Sequence, residues 1–154
     1  MAYFLLFVLS VFIERKVSSL VISLMVLAVA NGAMTALTPL LYQLASLPGV
    51  FYKFLWYGVF IFFDCVAIFL LYKFHNLLRQ NVSSIANIVG VAFLALASIQ
   101  TIRFFDRFVS NTDIFQVLYQ YGIPIINVIL VPVIVALWVA NVKTKSKNIR
   151  LAVG

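Results

Sequence analysis

Four side chains in this sequence have the type and placement to hold a proton or an ion. Asp64 stands in Phe62-Phe63-Asp64-Cys65, deep inside an apolar run. A charged side chain at the centre of a bilayer-spanning helix costs at least about 2.5–3.5 kcal/mol on insertion scales. It must therefore face a protein interior, carry a proton, or find a partner. No Lys or Arg lies mid-run to pair with it, which leaves the protonated acid as the expected form in a dry interior. Asn31 and Asn127 fall near the midpoints of two other apolar runs, and Ser98 lies about one turn from the midpoint of a third. Asp64, Asn31, Asn127 and Ser98 thus form a candidate midplane polar cluster, a proton or ion site. The plainer reading of such polar residues is interhelical packing, at about 0.6 kcal/mol per hydrogen bond.

Other chemistry has little support. One cysteine and one histidine, Cys65 and His75, fall short of the three or four ligands of a zinc site and allow no intramolecular disulfide. No apolar run holds a pair of carboxylates, no Ser-His-Asp set sits at a plausible depth, and no glycine-rich phosphate loop is present, so no enzyme, cofactor or metal is expected. Arg103, Asp106 and Arg107 are spaced i, i+3, i+4 at the end of a run; they read as a partner or anion site, or as a plain surface ion pair. His75 follows Asp64 by eleven positions and shares its helical face about 16 Å away. It reads as a solvated residue at the membrane surface, and Cys65 as an inert buried thiol.

The elements that must position these residues follow from composition. Hydrophobic residues make up 65% of the chain and charged residues 10%, with a mean hydropathy of +1.14. Soluble domains run at about 45–50% apolar and about 25% charged. The chain is expected to be an all-α integral membrane protein, a four-helix transmembrane bundle preceded by a short apolar helix. A helix needs about 20 apolar residues to cross the hydrocarbon core. Spans are predicted at about 17–44, 50–74, 82–105 and 114–140, within a membrane domain covering 17–141, and the short links between them favour antiparallel neighbours. Residues 1–16 are too apolar for water and too short to cross; they are expected to lie in the interface, enter partway, or extend the first span. Residues 142–154 form a basic tail.

The net charge is +7, but the basic residues cluster at the ends of apolar runs, where they act as topology signals and contacts to lipid head groups rather than to nucleic acid. Arg15, Lys16, Lys73, Arg79, Lys143, Lys145, Lys147 and Arg150 fall on one side; Lys53, Arg103 and Arg107 fall on the other. The imbalance predicts both termini in the cytoplasm, in a bacterial-type plasma membrane.

Several helical faces carry packing signals. Ala28, Gly32 and Ala36 form a small-residue stripe that lets another helix approach. Ser84, Asn87, Val91, Leu94, Ser98 and Thr101 follow 3-4 spacing, as do Asp113, Gln116, Gln120, Pro124 and Asn127. Asn31-Gly32 with Pro39, and Gly122 with Pro124 and Pro132, permit broken helices of the kind found at transport sites. Three functions are compatible with this pattern. The first is a non-enzymatic membrane protein acting through helix–helix interaction, as a subunit or immunity factor of a complex or by self-association. The second is an oligomeric ion- or proton-coupled channel or transporter built on Asp64. The third is a holin-like pore-former.

Overall fold

The structure, a computed structural model, describes residues 2–153, with side chains through Val142. Among the described residues it is all-helical: α1 (Ala2–Glu14), α2 (Ser19–Ala45), α3 (Val50–Leu77), α4 (Ser84–Phe108) and α5 (Gln116–Val153). Four of them, taking α5 as far as Val142, are long and apolar enough to span a membrane, and α1 is not. The architecture matches the expected four spans plus a short apolar helix to within a few residues at each boundary. The difference at the C-terminus is that α5 continues beyond its apolar part into the basic tail. Lys143, Lys145, Lys147 and Arg150, assigned from sequence to lipid head groups, lie outside the residues whose side chains are described.

Local chemistry sets the helix ends. Ser18 and Ser83 are N-caps whose hydroxyls accept from Val21 N–H and Ala86 N–H, each at 3.3 Å, satisfying donors that a helix start leaves free. Gly49, at φ 120°, makes the turn between α2 and α3 that a side chain would resist. The helices do not break where the sequence permits it. α2 runs through Asn31, Gly32 and Pro39, and α5 runs through Gly122, Pro124 and Pro132. A proline removes one donor, yet the rest of the ladder holds the helix together.

The core is made by α2, α3 and α4, with Leu24, Leu27, Leu71, Val89 and Phe93 buried between them. α3 and α4 share the most extensive interface. They approach closely at Gly90, where an added Cβ would stand 3.0 Å from the Tyr72 hydroxyl. α5 packs on α4, and α2 and α5 scarcely touch. α1 packs along α2. Its Tyr3 hydroxyl donates to the Asn127 carbonyl of α5 at 2.6 Å. Its Glu14 lines a cavity shared with Ser19, Trp138 and Asn141. α1 therefore packs along α2 and reaches α5 near its two ends, through Tyr3 and beside Trp138. Over its 13 residues it rises about 20 Å, more than half of a hydrocarbon core. Large apolar side chains, Phe12, Phe62, Phe69 and Val128 among them, face outward on every helix, which suits a membrane-embedded chain and not one in water.

Two polar clasps hold the ends of the bundle. At one end His75 is 1% exposed, not solvated as its position suggested. Its Nδ1 donates to the Leu71 carbonyl at 2.7 Å, and its Nε2 lies 2.7 Å from Ser19 Oγ. Ser19 Oγ is also 2.7 Å from Ser83 Oγ and accepts from Ser83 N–H at 3.1 Å. One imidazole thus joins α2, α3 and the cap of α4. At the other end Arg103, 2% exposed, pairs through Nη1 with Asp106 at 2.8 Å and through Nη2 with Asp113 at 2.7 Å. Asp106 also accepts from Thr112 and from Phe115 N–H. This network folds the α4–α5 connection back onto α4.

Candidate functional site

Helical rise sets the depth of a residue along a span, and packing sets which way it points. Asn31, Asp64 and Asn127, expected at one depth, all line a single cavity of about 260 Å³. Its inner wall is Asp64, Leu96 and Gln100, all buried. α2 contributes Asn31, Met34, Thr35 and Thr38; α5 contributes Tyr119, Ile123 and Asn127. Trp56 and Phe60 complete it from α3, one to two turns and more from Asp64 toward the Arg103 end. The cavity is only partly enclosed. It lies where α2 and α5 stand apart, beyond the level at which Tyr3 of α1 meets Asn127.

Asp64 is 2% exposed, and no hydrogen bond or ion pair reaches it from the described residues. Gln100 Oε1 is likewise buried without a partner. Most other polar lining groups have already spent protons on their own helices. The Thr35 hydroxyl donates to Asn31 O at 2.7 Å and the Thr38 hydroxyl to Met34 O at 2.8 Å. Asn31 Nδ2 donates to Leu27 O and Asn127 Nδ2 to Ile123 O, both at 3.0 Å. A carbonyl only accepts, so these bonds fix both amide orientations; neither Oδ1 accepts a hydrogen bond from the described residues, and each amide keeps a second N–H. The lining thus offers unpartnered acceptors beside amide donors, carries one carboxyl and includes no basic residue. A buried polar group without a partner is costly, so such a wall is complementary to something that brings donors or positive charge.

Trp56 marks the rim. Its Nε1 donates to the Tyr119 hydroxyl at 2.9 Å, bridging α3 and α5, and its ring packs edge-on against Tyr42 and Phe60. It also lines a second, larger cavity of about 500 Å³ at the Arg103 end, with Tyr42, Lys53, Tyr57 and Arg107. The indole is therefore a shared wall between an end vestibule and the central cavity.

Ser98 does not join the cluster. It points outward, its hydroxyl donating to Leu94 O at 2.8 Å, and Gln100 takes its place. Of the 3-4 row, Ser84, Asn87, Val91, Leu94 and Ser98 lie on the outer face of α4, where Val91 is 65% exposed, while Thr101 is half-buried. The inward face of α4 is instead marked by small residues, Ala86, Gly90 and Ala97, and Gln100 lies one turn beyond Ala97. That stripe was the available signal for Gln100. Gln116, Gln120 and Pro124 also face outward. So do Gly32 and Ala36, with Ala28 half-buried; nothing lies within 4 Å of a Cβ added at Gly32. Cys65 is exposed, not buried. Arg103, Asp106 and Arg107 do not act together, because the first two are consumed in the buried clasp. Arg107 is exposed, set 5.9 Å from the Phe108 ring.

Fold and site together define a bundle of four apolar helices with a polar cavity at mid-height. No family model, curated protein or solved structure matches the chain.

Proposed function

We propose that this chain is a non-enzymatic multi-pass membrane protein that binds a proton or small cation in its central cavity and moves it across the bilayer, as a channel or transporter. One observation carries this reading: Asp64 is buried without a partner on the wall of a cavity whose lining contains no basic residue. A carboxyl kept at bilayer depth at a cost of at least about 2.5–3.5 kcal/mol marks an ion or proton path by default. Trp56 is shared with the larger cavity at the Arg103 end, which supports an entrance from that side. The Lys and Arg imbalance supports an outward-facing Arg103 end, with both termini in the cytoplasm of a plasma membrane. The test is ion flux into proteoliposomes, read with a pH-sensitive dye and with cation-selective electrodes. Wild type is expected to conduct, and Asp64→Asn and Asp64→Ala to fall to the level of empty liposomes. Equal flux in all three would end the reading.

A second reading, interaction with another membrane helix or with a second copy, has its own support. The outer face of α4 presents Asn87 and Ser98, and the outer face of α2 presents Gly32 with open space around it. Polar groups and small residues on outward faces suit a protein neighbour better than lipid. The two readings are compatible, since a conducting unit can be an oligomer.

A further inference from the structure

We infer that the ligand of the central cavity is an organic monocation bearing N–H donors on an apolar body, a protonated amine, and not a bare metal ion. This rests on the cation-site reading above. Size argues first. A volume of about 260 Å³ is many times that of a bare ion and suits a molecule of several heavy atoms. A hard metal ion needs most of its six or more oxygens within about 2.0–2.6 Å. Here the oxygens are spread over four helices, and the described residues include no group of three His, Cys, Asp or Glu that could hold a metal.

Hydrogen-bond inventory argues next. An ammonium group presents three donors and no acceptor. Asp64 and Gln100 Oε1 offer unpartnered acceptors, and the Thr35 and Thr38 oxygens offer lone pairs whose protons are already committed. The rest of the wall serves an organic body. Trp56, Phe60 and Tyr119 supply aromatic surface that attracts a cation through its ring faces. Met34, Leu96 and Ile123 supply apolar contact. Since one carboxyl holds a proton or an ammonium and not both, amine binding would release a proton from Asp64 whenever the acid is protonated.

The test uses the full chain in lipid nanodiscs with three probes: phenethylammonium, its neutral isostere 2-phenylethanol, and sodium ion. Calorimetry and Trp56 fluorescence, the latter in a Trp138→Phe background, report binding. Phenethylammonium is expected to saturate at one per chain. Asp64→Asn and the neutral isostere are each expected to weaken binding about thirtyfold or more, the effect of losing one side of a buried charge pair. Gln100→Leu, which keeps the carboxyl, is expected to weaken it about tenfold. Uptake of the amine that is equal in empty nanodiscs, or unchanged in both variants, would overturn the inference. Saturable sodium binding without amine binding would overturn it too, while leaving the cation-site reading in place. If neither amine nor sodium binds and the proteoliposomes show no proton flux that depends on Asp64, both fall.

Discussion

The indole of Trp56 and the hydroxyl of Tyr119 form a 2.9 Å hydrogen bond that ties α3 to α5 across the rim of the central cavity. α3 and α5 meet at few other points, so this bond holds much of the rim's shape. Trp56→Phe and Tyr119→Phe are each expected to destabilise the fold by about 0.6–1.7 kcal/mol, the range for interhelical bonds in bilayers. The double variant should cost no more than either single one apart from packing losses. Denaturant titration in mixed micelles, analysed as a double-mutant cycle, measures the coupling. A coupling of zero would show that the bond contributes nothing to the stability of the micelle-embedded protein.

Asp64 opposes stability in this design. Asp64→Leu is expected to raise the unfolding midpoint and to improve insertion of α3 by about 3 kcal/mol, the size of the penalty for Asp at mid-span. A glycosylation-based insertion assay on the isolated α3 segment reads the second quantity. A gain in stability accompanied by lost ion flux is the expected signature of a residue kept for function.

His75 and Ser19 act at the opposite end. His75→Ala removes the group that joins Leu71, Ser19 and the Ser83 cap, and should cost about 1–3 kcal/mol through the buried groups left unpaired. Hydrogen exchange should accelerate at the Ser83 and Ala86 amides, which rely on this cap, and hardly at all in the α4–α5 connection. Uniform acceleration would instead mean that the clasp serves the whole fold.

Arg103 serves two carboxylates with two different guanidinium nitrogens. Arg103→Lys keeps the charge and loses the fork, so it should fail to restore order in the 109–115 connection. Limited proteolysis of that connection is expected to rise in both Arg103→Lys and Arg103→Ala. Protection in the Lys variant equal to wild type would show that charge alone suffices.

Gly32 tests the second reading. A Cβ built there meets nothing within 4 Å, so Gly32→Leu should leave the single chain as stable as wild type or slightly more helical. Any loss of cross-linked dimer, or of co-purifying partner, then reports contact across the α2 face. Association that survives Gly32→Leu unchanged excludes the Ala28–Gly32–Ala36 stripe as the interface.

The sequence by itself determined the spans and the depths. Helical rise and bilayer thickness convert position along an apolar run into height, and this is why Asn31, Asp64 and Asn127 were legible as one level before any fold was known. The cost of a carboxyl in an apolar run also made Asp64 stand out from its neighbours. What the tertiary structure decided is direction around each helix. Ser98 points outward and Gln100 inward, His75 is buried, and Arg103 and Asp106 turn away from Arg107. The physical reason lies in the solvent. In water an apolar face must point to the core, so the sequence records which face is which. In lipid the surroundings are as apolar as the core, and Phe62 and Phe69 can face out as readily as Leu71 faces in. Orientation is then fixed by close approach at residues such as Gly90 and by hydrogen bonds such as Tyr3 to Asn127 and Ser19 to His75. These join residues far apart in the chain, so only the assembled bundle reveals them.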